Sequence, residues 1–202
     1  MKRTKLFFTL ALASLVFTGI SAQYKVGDAV SDFKLMNVDG KYISLSQFQD
    51  AKGYIVIFTC NICPVAIKYE ERMINLDKEF RDKGFPVIAI NSNDKIINPG
   101  DSYEEMQKLA NKRNFPYPYL YDESQEVARR FGATNTPHIF VVSNNNGTRK
   151  VEYIGAIDNN VDDPSAAEKK YVASAISALL KGEKPSVTKT VAVGCGLKWR
   201  KS

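Results

Sequence analysis

An unbroken apolar run, Tyr54-Ile55-Val56-Ile57-Phe58, leads straight into Thr59-Cys60-Asn61-Ile62-Cys63-Pro64, after which apolar residues recur at helical spacing. A run with no polar alternation is the pattern of a strand buried on both faces, so the chain needs a sheet with a layer on each side. Both thiols then fall at a strand-to-helix junction, with Pro64 suited to the first helical turn, where its missing N–H is no loss. Unpaired amide N–H groups and the positive end of the helix dipole face Cys60 there and favour a thiolate. A redox dithiol is built in this way. A purely structural bridge would close a very short loop and constrain little chain entropy. A zinc site would need Cys60, Cys63, Cys195 and the only histidine, His138, and the last two lack any paired ligand spacing. The redox reading is adopted, with no metal and no cofactor expected.

Around this centre the pattern is one of alternating strands and helices. Asp39-Gly40 between two short alternating runs, Phe33 to Met36 and Tyr42 to Leu45, predicts a hairpin. Ala66, Tyr69, Met73, Leu76 and Phe80 form one face of a helix, with Glu70, Glu71 and Arg72 on its solvated side and Gly84 at its end. Val87 to Ile90 is a second buried strand, parallel to the first because a helix connects them. Ser102 and Glu105 form a capping box for the next helix, and Tyr119 to Tyr121 is a short strand followed by a short helix up to Gly132. Thr136-Pro137 enters the strand His138 to Val142, which pairs back with Lys150 to Ile154, and Asp163-Pro164 is expected to cap a last helix ending at Gly182. This order predicts an α/β three-layer domain over residues 23–182. The tail, residues 183–202, alternates Val191, Val193, Cys195, Leu197 and Trp199 and is expected to pack on the domain.

Residues 1–22 read as a secretory signal peptide: Lys2, Arg3 and Lys5, an apolar stretch from Leu6 to Ile20, then Ser21-Ala22 before Gln23. Its removal takes the formal net charge from +6 to +3, and the tail from Lys181 holds six basic residues against Glu183 alone. The body is therefore slightly acidic and no nucleic-acid partner is expected. The mature chain would be exported, to the periplasm if the source is a Gram-negative bacterium, and would meet the membrane only during export. In an oxidising compartment a dithiol needs a reducing partner or acts as an oxidant.

The dithiol at a strand-to-helix junction, Thr136-Pro137 entering a strand, and the hairpin before a terminal helix resemble the thioredoxin superfamily over most of residues 25–180. More narrowly, Phe58 to Pro64, Ala89 to Asp94, Phe115 to Asp122 and Gly194-Cys195-Gly196-Leu197-Lys198-Trp199 resemble its peroxiredoxin-like branch, the alkyl hydroperoxide reductase or thiol-specific antioxidant proteins. The resemblance implies a thioredoxin-like three-layer fold, a central mixed sheet flanked by helices, here with an N-terminal β-hairpin extension and a packed C-terminal tail. It also implies that Cys60 is the exposed attacking thiol, Cys63 the buried resolving thiol, and Pro137 a cis-proline beside Thr59 and Thr136 in a substrate groove, with His138 adjacent.

Typical peroxiredoxins carry a proline and a threonine before a single peroxidatic cysteine, the threonine three residues ahead of it. In this chain Thr59 adjoins Cys60, and Val56 stands seven residues before Cys63 where that proline would be. The expected activity is therefore thiol-disulfide exchange with protein or small-molecule disulfides. A thiol-dependent peroxidase is the alternative, and a non-catalytic zinc or partner-binding module a second one. Ile55 to Phe58 supplies no buried acid. Cys195 is the odd thiol: either a small buried hydrophobe, or a third redox thiol that forms a disulfide with Cys60 or Cys63.

Overall fold

The computed structural model describes residues 23–201, so the expected signal peptide, residues 1–22, lies outside the described residues. Strand β1 (Lys34–Asn37) and strand β2 (Tyr42–Ser44) form the expected hairpin, with Gly40 at φ +82° in its turn. Strand β3 (Gly53–Phe58) leads to helix α1 (Pro64–Phe80), strand β4 (Val87–Asn91), helix α2 (Tyr103–Arg113), strand β5 (Tyr119–Tyr121) and helix α3 (Glu126–Phe131). A two-residue strand β6 (Asn135–Thr136) precedes β7 (His138–Asn145) and β8 (Thr148–Gly155), then come helix α4 (Tyr171–Leu180) and a two-residue strand β9 (Cys195–Gly196).

The main sheet has seven strands in the order β2-β1-β5-β4-β3-β7-β8. Its centre is parallel, β3 with β4 and β4 with β5, and its flanks are antiparallel. The hairpin is therefore no appendage: β1 pairs with β5 and continues the sheet. Every residue of β3 is buried, and its alternation feeds two cores. Ile55 and Ile57 pack with Tyr69 and Met73 of α1, Met106 of α2 and Ile176 of α4 on one face. Tyr54, Val56 and Phe58 pack with Val127 and Phe131 of α3, and with Leu197 of the tail, on the other. The connections β3-α1-β4 and β4-α2-β5 step the same way across the sheet, which puts α1 and α2 on one face. Among the described residues no helix is long and apolar enough to cross a membrane.

Three local expectations are corrected. Asp163-Pro164 does not cap the last helix; α4 begins at Tyr171, and residues 158–170 form a loop instead. That loop folds over α1, so Arg72 is buried rather than solvated. One guanidinium nitrogen donates to both Asp158 carboxylate oxygens at 2.8 Å, and the other to Val161 O at 2.9 Å. Glu70 is buried as well and pairs with Arg113 Nε of α2 at 2.9 Å. Helical periodicity locates the face turned toward the sheet but carries no information about a later loop or helix that covers the outer one.

Removing one partner of a buried ion pair leaves an uncompensated charge, which costs about 3–5 kcal/mol. Arg72→Met should therefore lower the urea midpoint by that amount of stability at unchanged slope. A loss below about 1 kcal/mol would show that Asp158 finds solvent once its partner is gone.

Candidate active site

Strand β3 delivers the cysteines to the C-terminal end of the sheet. Thr59 is buried and extends the ladder by one bond, its N–H donating to Ile90 O at 2.9 Å. Cys63 is the N-cap of α1, in extended conformation, and its carbonyl accepts from Ile67 N at 3.0 Å. Asn61, between the thiols, is anchored at three points. Its N–H donates to Asp101 Oδ1 at 2.7 Å, its amide nitrogen to Gly100 O at 2.8 Å, and its amide oxygen accepts from Tyr119 OH at 2.7 Å. Asp101 is fully buried and also accepts from the side-chain amides of Asn91, Asn93 and Asn98 at 2.9–3.1 Å. Sequence reasoning missed this carboxylate and its amide ring. Asp101 stands between a polar stretch, Asn91 to Gly100, and the cap Ser102, and the local hints were the asparagines from Asn91 and the Asn inside the dithiol turn.

Opposite the cysteines, the Thr136–Pro137 peptide bond is cis and β6 lies apart from the main sheet. Cys60 Sγ lies 3.0 Å from Thr136 Oγ1, and Cys63 Sγ 3.4 Å from Thr136 O. Strand β9 pairs antiparallel with β6, Thr136 opposite Cys195 and Asn135 opposite Gly196. Cys195 is bonded to Cys63 in a disulfide that spans 132 residues of sequence, leaving Cys60 as the free thiol. The tail thus brings the third cysteine to the dithiol rather than burying it elsewhere.

Cys60 differs from its expected state. It is only 4% exposed, walled by Cys63, Ala66 and Cys195. Burial pushes its thiol above the ordinary range, and the Asp101 charge adds to this, against the Thr136 hydroxyl and the N–H groups of Cys63 and Ile62. The helix-terminal amides act in the expected direction, but desolvation outweighs them. His138 lies on the sheet face away from α1, its ring 4.7 Å from that of Phe140, and its Nδ1 accepts from Thr134 N at 3.2 Å. Burial holds it down to about 4, so the ring is a neutral acceptor beside Thr134. Among the described residues no group of three or more His, Cys, Asp or Glu side chains is placed to hold a metal ion.

A family model, the AhpC/TSA family, matches residues 26–154 of the chain. The chain belongs to the AhpC/TSA family. An uncharacterized conserved protein from Geobacillus kaustophilus is similar to it in structure, with 31% identity and a TM-score of 0.81 over 89% of this chain and 95% of that one. Thiol-disulfide oxidoreductase ResA of Halalkalibacterium halodurans is 21% identical over 139 residues, 69% of this chain and 74% of that protein. Chloroplastic peroxiredoxin Q of Populus jackii is 25% identical over 120 residues, 59% of this chain and 53% of that protein, so the chain spans about half of its length. The chain is thus an oxidoreductase-like member of the thioredoxin superfamily, in its peroxiredoxin-like branch.

Two outcomes follow from these electrostatics. With the Cys63–Cys195 bridge closed, Cys60 is the one thiol left to titrate. Asp101→Asn should then move its thiolate absorbance to lower pH, and an unchanged midpoint would mean that the carboxylate does not act on the sulfur. His138 has a folded-state pKa of about 4, below its unfolded value of 6.5. The unfolded chain therefore binds the proton first, and this contribution to stability is complete above pH 6.5 and is lost as pH falls toward 4, by up to about 3 kcal/mol. His138→Phe should flatten that part of the stability profile measured by urea unfolding; an unaltered profile would assign the acid sensitivity to other groups.

Proposed function

We propose that this AhpC/TSA-family chain is an exported thiol-disulfide oxidoreductase. Cys60 as thiolate attacks one sulfur of a client disulfide, the client's other sulfur leaves as a thiolate, and a mixed disulfide forms. Cys63 then attacks Cys60 Sγ, expels the second client sulfur and closes the Cys60–Cys63 bridge. Two electrons pass from the dithiol to the client. The observation that carries this reading is the antiparallel seat of an extended, cysteine-bearing strand against Thr136, its Cys195 bonded to Cys63 while Cys60 stays a free thiol beside it. An extended client segment would use the same backbone bonds, lined by Thr59, Thr136 and Pro137, with His138 adjacent.

Similarity to a relative named a thiol-disulfide oxidoreductase supports the chemistry. The charged and apolar pattern of residues 1–22 supports export, and periplasmic residence in a Gram-negative source. On this reading residues 23–182 are the catalytic domain and residues 183–202 its tail. The partners are protein or small-molecule disulfides and a reductant for the spent dithiol, with no nucleic acid, and with the membrane only during export. A second reading, a thiol-dependent peroxidase in which Cys60 is oxidised to a sulfenic acid and resolved by Cys63, is favoured by the family match and by the similarity to peroxiredoxin Q.

Stopped-flow comparison of the reduced protein separates the two. Disulfide reduction should be clearly faster, and the reaction with hydrogen peroxide close to that of an ordinary thiolate; a peroxide rate orders of magnitude above a free thiol would instead establish the peroxidase. Cys63→Ser should accumulate mixed disulfides through Cys60, whereas trapping by Cys60→Ser alone would reverse the roles of the two thiols.

A further inference from the structure

The tail is built to hold Cys195 in place from both sides. Upstream, Thr190 is fixed to the end of β8: its N–H donates to Ile154 O at 2.9 Å, and its hydroxyl accepts from Ala156 N at 2.9 Å. Downstream, Leu197 is buried in the second core and its N–H donates to Thr134 O at 2.9 Å. Lys198 N–H then donates to Asn93 Oδ1 at 2.8 Å, and Arg200 Nε to Asp94 Oδ2 at 2.8 Å. Between these anchors the chain crosses the groove at Gly194. A Cβ there would lie 2.1 Å from Thr136 O and 3.0 Å from Pro137 N, so only glycine passes.

The two dithiol sulfurs and Cys195 differ in access. Cys60 and Cys63 are each 4% exposed, and Cys195 is half-buried. Thiol-disulfide exchange requires an incoming thiolate to reach one sulfur of the bridge. A Cys60–Cys63 bridge beneath the docked tail joins two residues each 4% exposed, whereas the Cys63–Cys195 bridge ends on the more exposed residue, Cys195.

We infer that Cys195 is the third thiol of an intramolecular relay that carries the disulfide from the buried pair to the surface, where a dithiol reductant removes it. The inference rests on the exchange activity proposed above, which supplies the Cys60–Cys63 bridge. The client leaves, the tail docks, and Cys195 gives up its proton and attacks Cys63 Sγ. The Cys63–Cys195 bond forms, the Cys60–Cys63 bond breaks, and its electron pair leaves on Cys60 Sγ, 3.0 Å from the Thr136 hydroxyl. No net oxidation occurs in this step. A thiolate of the reductant then attacks Cys195 Sγ, Cys63 leaves as thiolate, and the reductant's second thiol releases Cys195, so two electrons enter from the dithiol. Client and tail use the same edge of Thr136 and therefore alternate on it.

The test uses the reduced full chain, oxidised with one equivalent of a model disulfide peptide, quenched in acid at successive times, alkylated and mapped without reduction. Cys60–Cys63 should appear first and convert to Cys63–Cys195, with Cys60 recovered as a thiol. Gly194→Val, which keeps all three cysteines, should leave Cys60–Cys63 as the end product. With dithiothreitol as the reductant, the oxidised wild type should be reduced at least tenfold faster than oxidised Cys195→Ser, whose tail still docks over the Cys60–Cys63 bridge but carries no third thiol. Cys60–Cys63 as the stable product in the wild type, or equal reduction rates in the wild type and Cys195→Ser, would overturn the relay. Consumption of the model disulfide in the first turnover is read separately. If it is consumed and no Cys63–Cys195 forms, the relay alone fails; if it is not consumed at all, the exchange reading fails and the relay with it.

Discussion

A single buried carboxylate organises the chemistry of this molecule. Asp101 has no exposed surface, and its two oxygens accept from one backbone N–H and three side-chain amides. Among the described residues no basic side chain pairs with it. A carboxylate satisfied wholly by N–H donors can be held away from water without a counter-ion. Through Asn61 it fixes the turn between the two cysteines, and through Asn93 it reaches Lys198 and hence the tail. The dithiol turn, the end of β4 and the segment that carries Cys195 are thereby set by one group.

The same carboxylate has a cost for reactivity. Burial is the main opposition to ionising Cys60, and the negative charge of Asp101 adds to it. The Cys60 sulfur sits against the Thr136 hydroxyl and is walled by Cys63, Ala66 and Cys195, which keeps it away from solvent and from reagents there.

Cys195 and β9 lie beyond residues 26–154, which match the family model. The residues that match the family therefore carry Cys60 and Cys63 without Cys195, and the tail is added to them through its pairing with β6. In this structure its hold is covalent, through the Cys63–Cys195 bridge, and rests besides on buried Leu197 and on the N–H groups of Leu197 and Lys198, which donate to Thr134 O and Asn93 Oδ1.

The sequence by itself determined the parts of this protein that depend on neighbouring residues. The uninterrupted apolar run of β3 dictated a strand buried on both faces, Pro64 started a helix beside Cys63, Asp39-Gly40 turned a hairpin, and the alternation of strand and helix patterns dictated the layers. Periodicity reports which face of an element is apolar, and these features are all of that kind. What only the tertiary structure decided are encounters between residues far apart in the chain. Arg72 is buried because a loop that begins 86 residues later folds over its helix. Cys60 is covered, and Cys63 bonded, because the tail returns to Thr136. Asp101 governs the dithiol because β4 and β5 bring its loop beneath Asn61. Solvation, charge and access at a thiol are sums over whatever the fold packs against it, and no local pattern in the chain encodes that sum.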